Sequence, residues 1–192
     1  MIATMRELAG SLALAALIVG AGMAGAWADT VTAIRWKDLR PATQPAAESP
    51  GLPVVAASLP DGGRTLAWNA PDMTVELKGY ALPTDREGDQ VYQFLLVPWR
   101  GACSHMPTPP PNQIVLVTLA KPFTLERTYA AVSVTGKLRQ SMERSQLFIM
   151  DGRTVISSGY VLSKPSVAPA DDVPDAIEPS PNPWDALQAK KN

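Results

Sequence analysis

Phe94–Val117 reads FLLVPWRGACSHMPTPPPNQIVLV. Two apolar runs, Phe94–Val97 and Ile114–Val117, bracket a loop with Pro107, Pro109, Pro110 and Pro111. Runs this short, rich in Val, Leu and Phe and bounded by Pro and Gly, read as buried strands rather than helices. The pattern continues on both sides. Met73–Lys78 alternates, with Val75 and Leu77 on one face and Thr74, Glu76 and Lys78 on the other, and Gly79 through Pro83 ends it. Val91–Val97 and Ile114–Leu119 are the buried runs. Ala131–Leu138 alternates again, with Gly136 marking a bulge or bend. Leu147–Met150 and Thr154–Ser157 flank Asp151-Gly152-Arg153, a hairpin signal, and Gly159–Ser163 adds a final strand. Only Leu138–Ser145 and Trp36–Arg40 leave room for short helices. Strands separated by turn signals, without a helical period between them, argue an all-β domain. A small closed or partly open barrel manages its edges best, so the expected fold is an OB-like β-barrel, with a small sandwich as the alternative.

The remaining chain divides around that domain, which spans residues 72–167. Residues 1–28 have the layout of a secretory signal peptide: Arg6, an apolar stretch from Leu8 to Met23, and the small-x-small site Ala26-Trp27-Ala28. The competing reading, an uncleaved anchor, requires a stretch barely long enough to span ~30 Å. Residues 29–71 form an irregular arm rich in Pro and Gly, laid over the core and pinned by Trp36 and Trp68. Residues 168–192 are a Pro-rich acidic tail with too little apolar surface to order itself, although Trp184 and Leu187 offer one docking motif.

Charge excludes some functions. With 17 Lys and Arg against 18 Asp and Glu, the chain lacks the basic excess of a nucleic-acid binder or a polybasic membrane-surface protein. The single Cys, Cys103, cannot form an internal disulfide. No Walker loop, HExxH motif or nucleophile elbow is present.

Chemistry concentrates in the proline loop. Cys103 and His105, the only Cys and His, are two positions apart. In an extended segment they share one side of the backbone, where Met106 can add a thioether. That soft set suits Zn(II) or Cu(I). It is incomplete, because a catalytic zinc has three protein ligands. The alternatives are Cys103 packed as a small hydrophobe, with His105 bonded to loop carbonyls, and Cys103 as a nucleophile, which requires an oriented base. The prolines either stiffen a surface for a partner or fix two core strands. Arg100 has the fork to grip a carboxylate or phosphate, and otherwise is a solvated loop side chain.

Several of these segments together carry a resemblance. Trp36, Asp38, Leu39 and Pro41, then Gly79-Tyr80-Ala81-Leu82-Pro83, then Phe94–Pro98 leading into GACSHMPTPPPNQ (Gly101–Gln113), and finally VSVTGKL (Val132–Leu138) and Gly159-Tyr160 resemble the domain-of-unknown-function 3299 family over about Ile34–Val167. Ser104 and Thr108 depart from its pattern, whereas the Cys, His and Asn-Gln positions match. The resemblance implies a small exported bacterial protein without established activity. Its relatives look like periplasmic companions of ABC-type transport systems, some with zinc-responsive associations. The expected function is therefore a periplasmic, non-enzymatic binding module accessory to such a system. Cys103 and His105 are its candidate metal ligands. Arg100, Pro109, Pro110, Pro111, Asn112 and Gln113 are its candidate partner-binding residues. The expected partner is a transporter permease or another periplasmic protein. No nucleic acid and no stable membrane span after leader removal are expected.

Overall fold

The computed structural model describes residues 30–44, 56–104, 106–149 and 152–174. The expected leader, His105, and Trp184 and Leu187 lie outside the described residues. Six strands are present: β1 (Thr32–Ile34), β2 (Thr74–Glu87), β3 (Gln90–Val97), β4 (Val115–Thr124), β5 (Ala130–Ile149) and β6 (Gly152–Pro169). Five of them close a ring in the order β2-β3-β4-β6-β5, with β5 returning to β2. All neighbours in that ring are antiparallel except β4 and β6, which run parallel. This is the small OB-like barrel the strand pattern predicts. Among the described residues no helix is long and apolar enough to cross a membrane.

Alternation sends every second side chain inward. Val75 and Leu77 of β2, Phe94 and Leu96 of β3, Val115 and Val117 of β4, Val132 and Val134 of β5, and Tyr160 and Leu162 of β6 form one buried cluster. Complete closure leaves these residues almost no contact with water.

Three differences from the sequence expectation have local causes. First, β2 does not stop at Gly79. Gly79 lies within it because any Cβ there would meet Trp36 Cζ2 at 2.8 Å, Leu96 Cγ at 2.9 Å and the Val97 carbonyl at 2.9 Å. Pairing with β5 ends at Ala81, so Pro83 lies where β2 has only β3 beside it, and its missing N–H costs no ladder bond there. Second, Leu138–Ser145 is not helical. It continues β5 with a register shift between Gln140 and Glu143, and β5 and β6 run on as a two-stranded extension past the barrel. The predicted irregularity at Gly136 is present as a second shift, between Thr135 and Lys137. Third, the arm contributes structure of its own. β1 adds to β2 in parallel, while the 3-10 turn at Trp36–Leu39 falls where a short helix is expected and places both of its end residues in the barrel cluster.

Polar groups tie the arm down. Trp36 Nε1 donates to the Lys78 carbonyl at 2.9 Å. The Tyr160 hydroxyl donates to the Leu39 carbonyl at 2.9 Å and accepts from the amides of Ala67 at 2.9 Å and Trp68 at 3.2 Å. Burial raises the pKa of that phenol, so it stays a donor across the neutral range.

Candidate functional site

The loop between β3 and β4 covers the outer side of the barrel wall. There a second buried cluster forms from Tyr80 and Leu82 of β2, Leu95 and Val97 of β3, and Trp99, Ala102 and Cys103 of the loop. Ile114, Tyr129, Leu147, Ile156 and Val173 complete it from other elements.

A tight turn positions Cys103. Gly101 has φ +81°, and its carbonyl accepts from the amides of Ser104 at 3.0 Å and Met106 at 2.9 Å. Trp99 Nε1 closes the loop from beneath by donating to the Pro107 carbonyl at 3.3 Å. Cys103 itself has φ +68°, and Tyr129 has φ +61°. Such left-handed backbone costs a non-glycine residue about 1–3 kcal/mol. The two meet at one place: the Tyr129 hydroxyl donates to the carbonyl of Ala102 and shares a 2.7 Å hydrogen bond with Ser104 Oγ. Burial raises the Tyr129 phenol's pKa, with the Ser104 bond opposing it. Nothing in the sequence singles out Tyr129 as part of the loop's support, because its role comes from packing across the barrel wall.

Burial disfavours the thiolate form of Cys103. Cys103 is buried, and that burial pushes its pKa to about 11, against a smaller opposing effect of its hydrogen bond with Thr108. At neutral pH almost none of it is thiolate, the form that attacks and that ligates soft metals. Among the described residues no three His, Cys, Asp or Glu come together. His105, the other candidate ligand, lies outside the described residues.

The prolines are anchored as well as stiff. Pro109 and Pro110 are buried. Pro110 seats on Gly63, where a Cβ would lie 2.3 Å from Pro110 Cβ and where φ is +75°. Asp61 shapes that turn. Hydrogen bonds from the Thr65 hydroxyl and from the amides of Gly63 and Thr65 hold its carboxyl at about 2. Asn112 and Gln113 also face inward. Asn112 Nδ2 donates to Gln44 Oε1 at 2.7 Å and to the Thr65 carbonyl at 3.1 Å. Its amide donates to the Gly63 carbonyl at 3.1 Å. Gln113 Nε2 donates to the Trp36 and Asn112 carbonyls, both at 2.9 Å. These two amides fasten the arm to the loop.

The outward part of the loop is accordingly narrow: Arg100, Ser104, Pro107 and Thr108 are exposed. The Arg100 guanidinium stands over the Tyr80 ring, 5.5 Å from its centroid, which orients its charge without neutralising it.

Comparison with known proteins agrees with this architecture. The sequence profile of a family described as "Protein of unknown function (DUF3299)" matches residues 64–169, which include the whole loop. The crystal structure of a DUF3299 family protein from Pseudomonas aeruginosa is similar at a TM-score of 0.52 with 29% identity, over 74% of this chain and 98% of that one. No curated protein matches the chain.

Proposed function

The chain belongs to the DUF3299 family of proteins of unknown function, and from that premise we propose that it is an exported, non-enzymatic binding module whose loop Arg100–Thr108 meets a partner protein. One observation carries the reading. The loop is fixed from below by Trp99, Tyr129, Asn112 and Gln113, yet it leaves Arg100, Ser104, Pro107 and Thr108 facing solvent. A pre-ordered surface loses little conformational freedom on binding, and Arg is among the residues enriched in binding hot spots. A permease or another component of an ABC-type transport system is the partner the family resemblance favours. A buried thiol with a raised pKa argues against nucleophilic catalysis.

Two measurements test this. Co-purification of the tagged, membrane-associated complex should retain a permease with the wild type and lose it with Arg100→Glu. Equal recovery in both defeats the loop as the contact surface. Zn(II) or Cu(I) titration of the reduced protein should give affinities unchanged by Cys103→Ser and His105→Ala. A tight site abolished by both substitutions would replace this reading with metal handling through the same loop.

A further inference from the structure

We infer that a groove beside the loop takes an extended, acidic peptide segment of the partner, added as a strand to the edge of β6 that has no strand neighbour among the described residues. This rests on the binding-module reading and names the chemistry of its partner.

The edge exists because prolines interrupt the ladder. β4 pairs with β6 at Tyr160–Leu162 alone, and one further bond runs from the Gly159 amide to the Ile114 carbonyl at 3.2 Å. The chain before Ile114 then runs back through Pro111, Pro110 and Pro109, which have no N–H to donate. Among the described residues, Gly152–Ser158 of β6 thus has a strand neighbour on one side only, β5. An unpaired row of backbone donors and acceptors is a template for another strand.

Between that edge and the loop lies a groove of about 260 Å³, lined by Val155, Ile156 and Ser157 of β6, by Thr108, Pro109 and Pro111 of the loop, and by Arg64 among others. Arg64 is the one charged residue among the described residues lining it. It is exposed, and it makes no ion pair among the described residues. Arg153 is exposed on the same strand, and Arg144 on its partner β5. Val155 is 58% exposed and Phe148, near the tip of the extension, 77%. Unpaired backbone calls for an extended chain. Exposed apolar side chains beside exposed arginines that make no ion pair among the described residues call for a chain with both apolar and carboxylate groups.

Fluorescence anisotropy with a labelled octapeptide alternating Val and Glu tests this on the full chain. The peptide should bind, its Val–Lys counterpart should not, and N-methylation of alternate backbone amides should abolish binding. Arg64→Glu should weaken binding about tenfold or more, the loss of one charge-assisted bond. Val155→Lys should block the edge. Both positions are exposed, and unchanged circular dichroism confirms that the variants fold. Absence of binding, equal binding of the Lys peptide, or indifference to Arg64→Glu would each overturn the inference. A solution dimer dissolved by Val155→Lys would assign the edge to a second copy and overturn it too. The loop reading fails independently, through Arg100→Glu in the permease co-purification. If Arg100→Glu loses the permease while Arg64→Glu keeps it, the groove is refuted and the loop stands.

Discussion

The barrel interior and the cluster beneath the proline loop are both buried and apolar, but they are assembled by different rules. The interior draws alternate residues from the five barrel strands, and its order is the order of the ladder. The outer cluster sets the outward-facing residues of β2 and β3 against a loop, a turn and the β5–β6 extension. It holds two non-glycine residues at positive φ, and hydrogen bonds from Tyr129 and Trp99 close it. Regular strands supply stability that many sequences can provide. The outer cluster uses some of that stability to hold a strained loop in one shape, and strain maintained by surrounding structure accompanies function.

If this contrast is correct, interior substitutions should cost the most and leave the loop's chemistry alone. Phe94→Ala removes a fully buried ring and should cost ~3–5 kcal/mol in denaturant unfolding, without raising Cys103 reactivity in the folded protein. The seat of the loop should come next. Gly63→Ala forces a Cβ onto Pro110 at a positive φ and should cost about 1–3 kcal/mol, with Cys103 becoming easier to alkylate. Tyr129→Phe leaves the Ala102 carbonyl without its phenol donor. It should destabilise by about 1–2 kcal/mol and also expose the thiol. Should Phe94→Ala loosen Cys103 as much as Tyr129→Phe does, the two clusters are one cooperative unit and the contrast fails.

Cys103 gives the comparison a pH axis. In the unfolded chain its thiol ionises near the ordinary 9.0, and in the folded protein only near about 11. Its contribution to stability is therefore complete below pH 9 and is lost as the pH rises from there toward 11. Cys103→Ala should flatten that part of the stability–pH curve. At pH 8, alkylation of the native thiol should be about a hundredfold slower than that of a free cysteine. The smallest effect belongs to Arg100→Ala. It removes an exposed cation over Tyr80 and should cost ~0.5–1 kcal/mol, while weakening the partner far more than the fold.

Much of the barrel was legible because alternation and buried runs report a strand's environment directly. Phe94–Val97 and Ile114–Val117 announce themselves, and β5 pairs with β6 as the hairpin signal predicts, although Gly152 and Arg153, expected in the turn, pair with Ile149 and Phe148. Gly79-Tyr80-Ala81-Leu82-Pro83 misled because Gly and Pro normally break strands. Here Gly79 answers to Trp36, which lies far away in sequence, and Pro83 to the end of pairing with β5. The loop was legible as special from its Cys, His and prolines. The inward turn of Asn112 and Gln113 was not, since their partners are carbonyls of the arm, and backbone acceptors leave no mark on composition. Arg64 lies in the arm, whose composition marks only an irregular covering, so nothing in the sequence connects it to β6.

The Tyr160 hydroxyl has a consequence in time as well as space. It joins Leu39, 121 residues earlier, to Ala67 and Trp68, 93 and 92 residues earlier. Contacts of that sequence separation delay folding, because the loops must close before the bonds can form. A chain made from its N-terminus therefore carries Leu39 without its phenol partner until the last strand exists. Shortening the chain before Tyr160 should leave the Leu39 end of the arm unfastened while β1 and Trp36 keep their contacts with β2, so fastening of that end reports that the last strand has joined the barrel.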